Sequence, residues 1–117
     1  MEKLLFGTGG VPHSAKPGST VAGISRIAEL GLDCMEIEFV RGVKMSEDGA
    51  REVARAASEN GIKLSVHAPY YINLNAHEPA TLEASMGRLL QACRIGALCG
   101  ARSVVVHSAF YLGDPPG

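Results

Sequence analysis

The chain has 117 residues, 46% of them hydrophobic and 20% charged, with a formal net charge of −1. That length bounds it at one domain with room for a buried core, and the neutral charge balance makes no overall electrostatic case for nucleic acid. No run of about 18 apolar residues occurs, and Met1-Glu2-Lys3-Leu4-Leu5-Phe6 lacks the pattern of an export signal, so no membrane contact and a cytoplasmic location are expected.

The predicted elements alternate: strand, helix, strand, helix, strand, helix, strand. The first strand is expected at about Lys3 to Phe6, followed by a Gly-rich loop through Gly7, Gly9, Gly10, Pro12, Pro17 and Gly18. These glycines do not form a dinucleotide-binding spacing and read as a turn that permits close approach. His13, on this loop, is a candidate for substrate contact. Ser19 or Thr20 caps a helix that runs to Leu30 and stops at Gly31. Val21, Ile24, Ile27, Ala28 and Leu30 form its apolar stripe.

The second strand spans Asp33 to Phe39 and opens into Val40-Arg41-Gly42-Val43-Lys44-Met45. Ser46 is a good N-cap for the second helix, with Glu47 and Asp48 in the first turn, and Asn60-Gly61 ends it. The third strand, Ile62 to His67, leads through a loop to Pro79 as first helical residue. The third helix is expected to turn Leu82, Met86, Leu89, Leu90, Cys93 and Ala97 inward and to stop at Gly100. The fourth strand is Arg102 to His107, and no helix follows it in this chain. The three cysteines, Cys34, Cys93 and Cys99, lack paired zinc-site spacing and read as reduced, buried thiols.

Strands that each precede a helix belong to a (β/α) barrel or a doubly wound sheet. Alternation separates the two. Cys34, Glu36 and Glu38 share one face of strand two, and Met35, Ile37 and Phe39 the other. Lys63, Ser65 and His67 likewise oppose Ile62, Leu64 and Val66, and His107 takes Val105 and Ser103 with it. A flat sheet covered on both sides would be apolar on both faces. One polar face favours an α/β fold of partial TIM-barrel type: the first four parallel strands and three helices, residues 1–117 forming the N-terminal half of one barrel. A closed barrel needs eight strands and about 250 residues. The expectation is therefore a truncated reading frame, with homodimerisation through the open sheet edges as the other way to complete a ring.

His67 and His107 both end strands, and chemistry in such folds collects at the strands' carboxyl ends. Either alone reads as a polar strand-end residue beside solvent; as a pair they point to a metal site. Glu38, nearer the strand end than Glu36, is placed to be a ligand or to hydrogen-bond a metal-bound histidine. Pairing of these carboxylates with Lys63 is the plainer alternative. His77 reads as a surface capping residue at a helix start, Tyr71 as loop packing, and Asn73 as a side chain that holds its own loop.

His67-Ala68-Pro69-Tyr70-Tyr71-Ile72-Asn73-Leu74, with His107 forty residues on, resembles endonuclease IV, the metal-dependent apurinic/apyrimidinic endonuclease family. Phe6-Gly7-Thr8-Gly9-Gly10-Val11-Pro12-His13-Ser14 and Met35-Glu36-Ile37-Glu38-Phe39-Val40-Arg41-Gly42-Val43 are similar to its archaeal-type branch. The resemblance implies a xylose-isomerase-like TIM barrel that cuts DNA on the 5′ side of abasic sites with a cluster of three zinc ions. It implies that His67 and His107 are zinc ligands, that Tyr70 enters the minor groove near the lesion, and that Arg41 is inserted into the base stack. DNA is then the partner, and no protein partner is implied. The family's further ligands come from later strands, so these 117 residues alone are expected to be inactive. The rival readings are a sugar-phosphate isomerase or epimerase of the same superfamily, using one divalent metal and two carboxylates, and a non-catalytic half-barrel module.

Overall fold

The structure is a computed structural model that describes residues 3–117; Met1 and Glu2, part of the stretch read for an export signal, lie outside the described residues. Seven elements follow in chain order: β1 (Gly7–Gly9), α1 (Thr20–Glu29), β2 (Cys34–Glu38), α2 (Glu47–Asn60), β3 (Lys63–His67), α3 (Pro79–Leu98) and β4 (Val104–Val105). The strands form one sheet in the order β1-β2-β3-β4, every pair parallel. Each new strand adds on the same side of the last, so the order never reverses. A doubly wound sheet requires such a reversal, and a barrel forbids it. Right-handed crossovers then put every helix on one face, where α1 packs on α2 and α2 on α3.

Local sequence sets the helix boundaries. The Ser19 hydroxyl accepts from the Ala22 amide and the Ser46 hydroxyl from the Gly49 amide. Each supplies a partner to a helix-end N–H, an effect of about 1 kcal/mol. Gly61, at φ 67°, ends α2 in the left-handed region that glycine occupies without strain. Pro79 stands in the first turn of α3.

One apolar layer lies between sheet and helices. Met35, Ile37, Leu64 and Val66 from the strands meet Ile24, Ile27, Val53, Ala57, Ala92 and Ile95 from the helices, and all are buried. Full burial of each large aliphatic side chain contributes about 1.5–3 kcal/mol. The other sheet face carries Glu36, Ser65 and Val105, which are half-buried or exposed. The alternation expected for β2 and β3 therefore holds.

Four expectations fail. The first strand lies at Gly7–Gly9 rather than Lys3–Phe6, inside the segment read as loop. A Cβ on Gly7 would stand 1.7 Å from the Cys34 carbonyl oxygen, so the β1–β2 contact requires glycine there. The fourth strand proper is Val104–Val105: backbone bonds to β3 begin at Arg102, whose amide donates to the Leu64 carbonyl at 2.9 Å, but the ladder stops at Val105, short of His107. The inner face of α3 is also misassigned: Met86 and Leu90 are 50% and 66% exposed, and Cys93 and Ala97 are exposed too. Ala92, Ile95 and Gly96 are buried on the core side, Ser85 is buried beneath the loop after β3, and of the expected residues Leu89 packs partly against the core. Two apolar stripes run along this helix, and the buried one includes the small residues Ala92 and Gly96. Of the cysteines only Cys99 is buried; Cys34 is half-buried and Cys93 exposed.

Candidate functional site

The sheet register places the candidate residues. Glu38 pairs across to His67 and His67 to Val105, all at the carboxyl ends of their strands. The Phe39 amide donates to the His67 carbonyl at 2.9 Å, and the Ala68 amide to the Val105 carbonyl at 2.8 Å. His107 comes two residues after Val105, on the same side of the chain. Its ring centroid lies 5.2 Å from that of His67, with the planes tilted by 32°. Tyr70 completes a triangle: its ring is 5.5 Å from His67 and 6.2 Å from His107, nearly edge-on to both. His67 and His107 thus meet at the edge of the sheet, one ending β3 and the other two residues past the end of β4.

His67 is 9% exposed and its Nδ1 lies 2.7 Å from the Ala68 carbonyl oxygen. A carbonyl can only accept, so Nδ1 carries the proton and donates. Nε2 is thereby left as the nitrogen available to a ligand, the arrangement usual for a metal-binding imidazole. His107 is exposed.

Glu38 is not paired with Lys63; Lys63 is exposed and sits in register with Cys34, a whole strand length away. The charged neighbour of Glu38 is Glu36. Desolvation, then a hydrogen bond that the protonated Glu38 carboxyl donates to Glu36 and repulsion between the two carboxylates, push Glu38 above the usual carboxylate range, while His67 pulls it down. The β1 loop lies alongside it: a Cβ on Gly10 would stand at van der Waals distance, 3.5 Å, from the Glu38 Cγ.

Glu36 and Glu38 also line an open cleft of about 480 Å³ between the loops after β1 and β2. Gly10 and Val11 form one wall, Phe39 and Val40 another, and Arg41 and Lys44 bring positive charge. Val43 and Met45 pack against the core, which anchors the loop that carries both cations. The Tyr70 amide donates to the Val40 carbonyl at 3.2 Å, tying the loop of Tyr70 to the loop of Arg41. His13 stands exposed on the β1–α1 loop and is neither in the ring triangle nor part of the cleft lining.

The loop between β3 and α3 is held by residues that sequence reasoning passed over. Arg88 donates to the Tyr71 carbonyl at 2.9 Å, and the buried Ser85 hydroxyl accepts from the Asn73 amide at 3.0 Å. Asn73 does hold its own loop, accepting from the Asn75 amide at 3.0 Å, and it reaches beyond that loop to the Phe110 amide at the same distance. His77 does not cap the helix; its Nε2 pairs with Asp114 at 2.9 Å. The available signal was asparagine itself: Asn73 opens a turn in which the Ala76 amide donates to its carbonyl at 3.2 Å, and an Asn side chain that bonds the backbone two residues on favours such a turn.

The donor chemistry fits zinc in part. Two imidazoles on neighbouring strands, with a carboxylate in register beside them, are of the type that zinc takes. Among the described residues, no three His, Cys, Asp or Glu side chains converge closely enough to hold an ion. His67 and His107 therefore fit as two donors of a larger set.

Fold and site together define part of a parallel β/α barrel with its polar groups at the strands' carboxyl ends. The family model for the xylose isomerase-like TIM barrel matches residues 24–117, and the chain belongs to that family. It is 40% identical over 109 residues to an uncharacterised protein of Methanocaldococcus jannaschii, covering 93% of this chain and 38% of the relative. A probable endonuclease 4 of Streptomyces coelicolor is 38% identical over 72 residues, which are 62% of this chain and 24% of that protein. Among solved structures, endonuclease IV from Thermus thermophilus superposes with a TM-score of 0.68 at 22% identity, over 87% of this chain and 40% of that one. D-psicose 3-epimerase, in the presence of D-fructose, matches with the same TM-score of 0.68 at 18% identity, over 94% and 41%. The chain spans about two-fifths or less of the length of these proteins. Among the described residues no helix is long and apolar enough to cross a membrane.

Proposed function

We propose that these residues form the first half of a single barrel whose whole is a zinc-dependent apurinic/apyrimidinic endonuclease, hydrolysing DNA on the 5′ side of abasic sites. The observation that carries the reading is the triangle of His67, His107 and Tyr70 at one sheet edge. In this reading His67 and His107 hold metal through ring nitrogens, with Glu38 beside them. A divalent ion held there supplies positive charge to the scissile phosphate and acidifies water. Tyr70, 54% exposed with one edge against the imidazoles, offers a flat apolar ring to the gap left by a missing base. Unstacking is least costly where the base is already absent. Arg41 and Lys44 bring local positive charge to the phosphate backbone in a chain whose net charge offers none. The similarity to probable endonuclease 4 over 72 residues supports this choice within the family.

The equal structural likeness to an epimerase supports a second reading, in which the cleft with Glu36 and Glu38 takes a ketose sugar and the carboxylates move a proton beside its carbonyl. One pair of assays separates them. The full protein should nick a duplex oligonucleotide with a single abasic residue and lose that activity to a chelator, with recovery on added Zn2+. Epimerisation of ketoses without nicking would overturn the endonuclease reading.

A further inference from the structure

Strand pairing does not account for where His107 stands. The β3–β4 ladder ends at the His67–Val105 pair, and His107 lies beyond it, exposed. Yet its ring meets both His67 and Tyr70. What fixes the segment after β4 is a set of hydrogen bonds to the loop after β3. The Leu74 amide donates to the Ser108 carbonyl at 2.7 Å. Asn73 Oδ1 accepts from the Phe110 amide at 3.0 Å. Asn75 Nδ2 faces three acceptors, the carbonyls of Phe110 and Tyr111 and the Asp114 carboxylate, at 3.0, 3.2 and 2.9 Å. Ser85, 1% exposed on α3, accepts from the Asn73 amide and so ties this clasp to the helix.

We infer that Asn73 and Asn75 are positioning residues: they hold the segment after β4 against the loop of Tyr70 and thereby set His107 opposite His67. This deepens the metal-site reading and rests on it. The two asparagines work through opposite ends of the amide. Asn73 uses its oxygen, accepting from two backbone amides. Asn75 uses its nitrogen, and an oxygen in that place would face three oxygens. Asn73→Asp therefore keeps the contacts and Asn75→Asp turns each of them repulsive, although the two variants change charge equally.

The test is made in the full protein, with Zn2+ as the probe and two readouts: the Zn2+ dissociation constant, and nuclear Overhauser contacts among the ring protons of His67, Tyr70 and His107 without metal. Asn75→Asp and Asn73→Ala should weaken zinc binding by about 10- to 100-fold, the usual effect of losing a group that orients a ligand, and should lose the contacts of His107. Asn73→Asp should stay within about 3-fold of the parent, less than that range, and keep them. Equal zinc affinity and intact ring contacts in Asn75→Asp would overturn the inference. If Asn73→Ala fails to fold, the two Asp variants carry the comparison. If the parent binds no Zn2+, the metal-site reading fails, and the ring contacts in the Asp variants still decide whether the clasp positions His107.

Discussion

Two glycines on α3 should respond differently to the same substitution: one gains stability and the other does not. Gly96 lies against the sheet directly behind the strand that ends in His67. A Cβ built there meets the Val66 Cγ2 at 3.2 Å, the Val66 Cβ at 3.6 Å and the Val104 Cγ2 at 3.8 Å. Gly87 lies two and a half turns earlier, exposed, and its Cβ would meet nothing within 4 Å. Alanine in a helix interior is favoured over glycine by about 1 kcal/mol at either place. For Gly87→Ala that is the whole effect, a gain of about 1 kcal/mol. For Gly96→Ala the gain is set against crowding. Val66 is 0% exposed and has no free space to retreat into, and overpacking of a filled core costs about 1–3 kcal/mol. The two terms leave Gly96→Ala between neutral and about 2 kcal/mol destabilised, so the variants should differ by about 1–3 kcal/mol. Urea unfolding of the full protein, followed by circular dichroism at constant m, measures the difference. Equal stabilisation by both substitutions would refute the seating of α3 on β3 and β4, and with it the account of what holds His67 from behind.

Tyr70→Ala should reduce nicking of an abasic duplex by more than Tyr70→Phe, because the ring and not the hydroxyl faces the lesion in the proposed function; steady-state kinetics on a labelled oligonucleotide measure it, and equal losses would count against a stacking role. Asp33 accepts from the Lys3 ammonium at 2.8 Å and the Phe6 amide at 3.2 Å, and these bonds, Lys3 first, hold its carboxyl below the ordinary 3.8. A carboxyl depressed on folding stabilises the fold above its unfolded value, and that contribution is lost as pH falls through the folded one. The difference in urea midpoint between the parent and Asp33→Asn should thus be full at neutral pH and close below about pH 4. Burial pushes the Cys99 thiol up to about 11, and the residue is 1% exposed, whereas Cys93 is exposed. Alkylation of the native protein at pH 8 with iodoacetamide should label Cys93 and spare Cys99 until denaturant is added, as read by peptide mass spectrometry.

Much of the scaffold could be read from short stretches of chain. Ser19, Ser46 and Pro79 mark helix starts because capping is a contact between residues two or three apart. Met35-Glu36-Ile37-Glu38 declares a strand with one apolar face because alternation is a local property. The first strand escaped because three residues of Gly-Thr-Gly have no side-chain pattern; their reason is the proximity of Cys34, twenty-seven positions away. The face of α3 was misread for a related reason. Met86, Leu90, Cys93 and Ala97 are more apolar than Ser85 and Gly96, but the sheet accepts only a small residue where Gly96 touches Val66. Bulk decided the contact, and hydrophobicity alone does not report it.

The candidate site divides in the same way. Spacing along the chain was enough to tell that His67 ends a strand, that a carboxylate ends another, and that a tyrosine follows His67 within three residues, whereas His107, expected to end the fourth strand, lies two residues past it. Parallel strands joined by helices return every strand end to one edge, so these residues had to gather there. The folded chain was needed to learn that the rings of His67, His107 and Tyr70 meet, that Glu38 stands near Glu36 and away from Lys63, and that Asn75 grips Phe110, Tyr111 and Asp114. Each is a contact between segments whose separation in space is set by packing and register. A hydrogen bond has a working range of about 0.5 Å, far finer than any periodicity along a chain resolves.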